Sequence, residues 1–222
     1  MTRILSVGAH PDDEVLGMGG TLFKLTKQKA RVYLLTMTLG ETARGKARAN
    51  GNLRRKQAKK VAHKLGAILL PIQNYPDCAF DSVPLLSLTK TVEKYIKETK
   101  PDVIYTCHGG DLNIDHQRTF QAVITAARPG KTSVKQIFSF EVLSTTEWQA
   151  KKAPNVFLPN TYVDIELFIK KKVDLMKTYP QEMAKFPFPR SGTGIKTLAK
   201  LRGMESGLKY AEGFQLIRSI EN

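Results

Sequence analysis

Arg3-Ile4-Leu5-Ser6-Val7-Gly8 runs straight into Ala9-His10-Pro11-Asp12-Asp13-Glu14. The first six residues form an apolar run too short for a helix, ending on a small residue and giving way at once to a polar turn. They read as a strand. Outward from it, residues 17–29 follow Leu16 with Met18, Leu22, Phe23 and Leu25 at mixed three- and four-residue spacings, and lysines gather toward the end, where a helix dipole favours them. This predicts a helix. A second strand over 31–37, a basic helix over 53–65 stopped by Gly66, and a third strand over 67–70 continue the alternation. Residues 83–99 are helix-periodic until Pro101, followed by Val103-Ile104-Tyr105-Thr106-Cys107 as strand four. A helix over 115–127 and a fifth strand over 137–142 complete the pattern. Strands alternating with helices predict an α/β fold, an open, mainly parallel sheet with helices on both faces and right-handed crossovers.

After residue 150 the rhythm changes. Residues 162–165 are strand-like, 166–178 and 194–207 helical, 186–190 a Pro-rich loop, and 211–218 either a last strand or a docking tail. With 222 residues, 41% of them apolar, the chain is expected to be one domain over 1–222, with 150–222 as a C-terminal wall of the site. No apolar run approaches the ~20 residues that span a bilayer, and no leader-type segment is recognisable, so a soluble, cytoplasmic protein without a membrane partner is expected. Cys78 and Cys107 have no paired metal-ligand spacing and are expected to be reduced. The net charge of +15 attracts anions of every kind. No nucleic-acid reading motif accompanies it and few aromatics flank the basic runs, so nucleic acid is not an expected partner. The charge leans instead toward an anionic small substrate. Homo-oligomerisation stays open.

In an open α/β sheet the ligand lies outside the carboxyl ends of the strands, where the strand order reverses. In the common order 3-2-1-4-5, strands one and four meet there. His10-Pro11-Asp12-Asp13-Glu14 and Asp111-Leu112-Asn113-Ile114-Asp115-His116 follow those two strands and, although about a hundred residues apart, are expected to meet in space. Either cluster alone would serve as helix-capping residues. Together they offer one His and one carboxylate from the first loop and one His from the second, the three-ligand set with an open position typical of catalytic zinc. Such an ion activates water and polarises a carbonyl, and a neighbouring carboxylate can act as general base.

At these residues the chain resembles the LmbE-like, or PIG-L, family of N-acetylglucosaminyl deacetylases. Ala9-His10-Pro11-Asp12-Asp13-Glu14 reproduces its first signature and Asp115-His116 the end of its second. Gly40-Glu41 and Ala211-Glu212-Gly213-Phe214 extend the likeness. The resemblance implies a Rossmann-like sheet, Zn2+ held by His10, Asp13 and His116, Asp12 as general base, and Asp115 behind the ligands. It also implies hydrolysis of the N-acetyl group of an amino sugar or its conjugate, giving acetate and a free amine. Many members have His-Pro-Asp-His in the second signature; here its first His is Asn113, which can donate a hydrogen bond but not shuttle a proton. The acid role would then fall to His108 or to protonated Asp12.

The same substitution leaves a second reading, a catalytically weak protein that binds sugar or sugar nucleotide and keeps the metal pocket. Gly17, Gly19 and Gly20 lie beyond the turn where dinucleotide-binding glycines sit, and are expected to permit close packing and positive φ. Arg44, Arg54 or Arg55, and Arg190 are candidates for holding anionic or hydroxyl groups of substrate, or else solvated charges. Trp148 either stacks on a sugar ring or packs the C-terminal segment onto the sheet. Phe188 stands where relatives often carry a His.

Overall fold

A computed structural model describes residues 1–40, 51–153 and 155–221. Strand β1 (Arg3–Gly8) lies inside the sheet, parallel to β2 (Arg31–Thr36) on one side and to β4 (Val103–Cys107) on the other. Parallel pairing continues outward to β3 (Ile68–Leu69) beyond β2 and to β5 (Gln136–Phe140) beyond β4. Then the direction reverses. β7 (Ala211–Ser219) is antiparallel to β5, and β6 (Thr161–Asp164) is antiparallel to β7, giving the order β3-β2-β1-β4-β5-β7-β6.

Successive side chains of a strand face opposite sides, and here both sides are dry. Ile4, Val32, Leu34 and Tyr105 pack under α1 (Asp13–Lys27), α2 (Gly51–Leu65), α5 (Ile169–Met176) and α6 (Gly192–Ser206), through Leu22, Val61, Val173 and Ile195. Leu5, Val7, Tyr33, Leu35 and Ile104 face α3 (Leu85–Thr99) and α4 (Ile114–Ala126), through Leu88, Val92 and Ala122. This two-sided burial is why the strands read as continuous apolar runs. Among the described residues no helix is long and apolar enough to cross a membrane.

Several boundaries differ from the sequence reading. Helix α1 starts at Asp13 rather than at residue 17, because the Asp12 carbonyl accepts from the N–H groups of Val15 and Leu16 and acidic residues suit a first turn. It is kinked at Met18, whose φ of −145° is not helical. The kink frees the N–H groups of Gly20 and Thr21, and the Glu212 carboxylate of β7 accepts both, at 2.9 and 2.7 Å, while also accepting from Lys172 Nζ at 2.6 Å. Residues 211–218 are therefore a strand that caps a broken helix. The glycines of α1 serve close packing alone and none has positive φ: a Cβ on Gly17 would lie 2.2 Å from the Phe140 ring, and one on Gly20 2.7 Å from Ile165.

Candidate active site

The loop after β1 folds back on itself. His10 N–H donates to Asp13 Oδ2 at 2.8 Å, and Asp12 takes a φ of 121°, a region that side chains rarely adopt. That strained turn aims His10, Asp12 and Asp13 outward from the carboxyl edge of the sheet. The loop after β4 arrives beside it. Asn113 caps α4, its Oδ1 accepting from Asp115 N–H at 2.8 Å, which sets Asp115 and His116 in the first helical turn.

His10, Asp13 and His116 converge as the strand-order argument predicts. His10 Nδ1 lies 3.6 Å from Asp13 Oδ2, and His116 Nε2 lies 3.3 Å from Asp13 Oδ1. The remaining ring nitrogens are backed by carboxylates. His10 Nε2 is 3.0 Å from Asp115 Oδ2 and 3.2 Å from Asp77 Oδ1, and His116 Nδ1 is 3.2 Å from Asp111 Oδ1. Those backing groups are themselves held: Asp115 accepts from the N–H groups of Cys78 (2.7 Å) and Phe80 (3.1 Å), and Asp111 from Asn113 N–H (2.8 Å) and the Thr146 hydroxyl. Histidines oriented by carboxylates on the far nitrogen are the usual surroundings of a metal-binding imidazole.

The donor set fits a cation on a second count. Among the described residues neither nitrogen of buried His116 meets hydrogen-bond geometry, although Asp13 and Asp111 stand 3.3 and 3.2 Å away, a placement that a cation in front of Nε2 would complete. One donor atom from each of His10, Asp13 and His116 lies within 4.8 Å of the others. The electrostatics agree. Burial pulls His116 down, yet Asp13 and Asp111 outweigh it and push it up to about 9. Burial raises Asp13, but His116 and His10 drive it well below the usual carboxylate range. The carboxylates around both rings favour positive charge in this pocket, and a bound cation would take the place of the ring protons, since a metal-binding imidazole is neutral.

Asp12 faces a different set. Arg190 Nη1 donates to its Oδ2 at 2.9 Å, and Arg54 Nη2 lies 3.6 Å from its Oδ1. Glu182 bridges the same arginines, pairing with Arg54 Nη1 and lying 3.2 Å from Arg190 Nη1. Burial and Glu182 raise the Asp12 carboxyl to about 6, against the opposing pull of Arg190 and Arg54. Glu14, next in the chain, is pushed up to about 8 by burial. Beside this group opens a cavity of about 340 Å³ lined by Ser144, Gln181, Glu182, Met183, Phe188 and Arg190. A larger cleft of about 590 Å³ lies between the C-terminal ends of α3 and α4, at the other end of the strands, and contains none of these groups.

The other residues singled out in the sequence fall as follows. His108 Nε2 is 3.0 Å from the Asn155 carbonyl, with its ring against Phe157. Asn113 uses its carbonyl oxygen as a helix cap. Trp148 is 54% exposed and meets Phe188 edge-on, with ring centroids 6.2 Å apart. Arg54, a candidate for holding substrate or else a solvated charge, is 3% exposed, and Arg190 is also buried; both are engaged by carboxylates of the protein itself. Arg55 is exposed. Arg44 and Glu41 lie outside the described residues. Three acidic groups had been given no role: Asp77 in the turn after β3, Asp111 behind His116, and Glu182. Asp77 follows a strand end at the same edge and Asp111 opens the second cluster, so position could have flagged both. Nothing local marks Glu182.

The family model for PIG-L, GlcNAc-PI de-N-acetylase, matches residues 5–127, which carry both loops. YaiS of Escherichia coli, an uncharacterized deacetylase, is 30% identical over 182 residues, 78% of this chain and 89% of its own. A probable N-acetyl-alpha-D-glucosaminyl L-malate deacetylase 2 of Bacillus anthracis is 23% identical over 194 residues, 82% of each chain. Among solved structures, N,N'-diacetylchitobiose deacetylase from Pyrococcus horikoshii has the same fold, with a TM-score of 0.78 at 22% identity over 98% of this chain and 84% of that one. With its two signature loops joined at one edge of the sheet and relatives that are deacetylases, the chain belongs to the LmbE-like PIG-L family.

Proposed function

We propose that the chain is a zinc-dependent deacetylase that hydrolyses the N-acetyl group of an amino sugar or its conjugate. The observation that carries this reading is the pairing of two carboxylate-backed histidines with Asp13, beside a separate buried carboxylate, Asp12. His10, Asp13 and His116 would hold the ion. When bound, zinc supplies Lewis acidity to the amide carbonyl and to the attacking water.

Asp12 takes the proton of that water, a role suited to a carboxyl raised to about 6, well above the range of an exposed carboxylate. The amide C–N bond then breaks, and Asp12 returns the proton to the departing amine, leaving acetate and a free amine. This double duty follows from Asn113, which cannot supply a proton and whose oxygen is spent on α4. The sugar ring occupies the cavity beside Arg190, with residues 150–222 and half-exposed Trp148 as its wall. Arg54 and Arg190 already face Asp12 and Glu182, so among the described residues they favour a neutral ring over an anionic one at this point. Unpaired Cys78 and Cys107 suit a reducing cytoplasm.

The test is acetate release from a panel of N-acetyl sugars and conjugates by protein of known zinc content. About one zinc per chain is expected, and His116→Ala should lose most of it, because one of only three protein ligands goes. Asp12→Asn should keep the zinc and lose at least ~100-fold in turnover. Protein that neither carries nor takes up zinc would end this reading. Bound sugar without acetate release would favour the binding protein instead.

A further inference from the structure

Glu182 lies more than 160 residues from Asp12 in the chain, yet the two carboxylates share the same pair of arginines. All four side chains are buried. Arginine meets a carboxylate most favourably through two parallel N–H groups. Neither arginine does so on Asp12. Arg190 reaches it through Nη1 alone, its Nε being held by the Leu143 carbonyl at 3.0 Å and its Nη1 shared with Glu182. Arg54 stands off at 3.6 Å, with Nη1 on Glu182 and Nη2 on the Pro11 carbonyl at 3.0 Å. Glu182 is set in place by a 3-10 turn, Pro180–Glu182, whose N–H donates to the Tyr179 carbonyl at 2.9 Å.

From this geometry we propose that Glu182 is a positioning residue, holding Arg54 and Arg190 off a two-pronged grip on Asp12 so that Oδ1 accepts no hydrogen bond from either arginine and has only the Arg54 charge nearby, at 3.6 Å. The proposal rests on the reading of Asp12 as general base. Two guanidinium groups facing a single buried carboxylate would be drawn onto both its oxygens, since little water is present to compete. With Glu182 present, two cations meet two anions, and each arginine has a second partner. The arrangement also explains why so basic a chain offers the substrate little free charge at this point.

Removing the charge with Glu182→Gln should lower kcat for acetate release at least about tenfold while KM stays within about twofold and zinc content does not change. Glu182→Asp keeps the charge but is too short to reach both arginines, so a smaller loss of kcat at constant KM is expected. Glu182→Gln combined with Arg54→Gln restores one cation to one anion and should be faster than Glu182→Gln alone, an interaction that a general loss of packing would not produce. Thermal melting identifies any variant that fails to fold. If Glu182→Gln does not fold, Glu182→Asp decides. Wild-type kcat in either single variant, a loss confined to KM, or a double variant no faster than Glu182→Gln overturns the role of Glu182. Wild-type protein that releases no acetate from any substrate overturns the deacetylase reading and this role with it.

Discussion

Asp115→Asn should weaken zinc binding by a calculable amount. The Asp115 carboxylate receives three donors: Phe80 N–H on Oδ1 at 3.1 Å, and Cys78 N–H (2.7 Å) and His10 Nε2 (3.0 Å) on Oδ2. An amide has only one oxygen. Facing Cys78 and His10, that oxygen leaves its NH2 against the Phe80 N–H; turned round, the NH2 meets two donors, so the first orientation wins. One buried N–H then loses its partner, which costs about 1–3 kcal/mol of stability. Of the two carboxylates that face His10 Nε2, the nearer loses its charge and only Asp77, at 3.2 Å, keeps one. Loss of such a backing carboxylate lowers metal affinity about 10- to 100-fold, or about 1.4–2.7 kcal/mol. Zinc titration against a competing chelator reads the second effect, and thermal melting of metal-free protein reads the first. A zinc affinity within about twofold of wild type, alongside the lowered melting temperature, would refute the idea that Asp115 acts through His10 and leave it a loop fastener.

Gly17→Ala should destabilise the fold by about 1–3 kcal/mol, read by denaturant melting, because its Cβ would sit 2.2 Å from the Phe140 ring in a packed core. Lys172→Met should cost about 3–5 kcal/mol, since it strips Glu212 of its buried counter-ion; zinc stoichiometry in the surviving folded fraction should stay at wild type.

The parallel half of the sheet was legible because its strands are buried on both faces and its turns fall at strand ends, so the strand order expected of an open α/β sheet put the loops of His10 and His116 together. Helix starts were less legible: α1 begins inside the polar motif, where metal-type residues double as first-turn acids. The burial of Arg54 was less legible for a related reason. Its helix is basic overall, but Arg54 lies on the same buried stripe as Ala58, Val61 and Leu65, at helical spacing, and a cation on an apolar stripe signals a buried partner. That partner, Glu182, comes from a turn beyond α5, and no local pattern connects the two. Distant loops meeting over a strand edge are visible in sequence only when a strand end announces them.

The capping of the kinked α1 by Glu212 gives the site an order of assembly in time. His10, Asp13 and His116 emerge from the ribosome about a hundred residues before Glu212 does, an interval of about 5–20 s at ~5–20 residues per second. The nascent chain therefore owns its proposed ion-binding atoms while Arg190 and Glu182 are still unmade and the N–H groups of Gly20 and Thr21 still lack their acceptor. On the proposed zinc reading, metal loading and turnover would be separable events, and an early-bound ion would act as a folding template before it served as a catalyst.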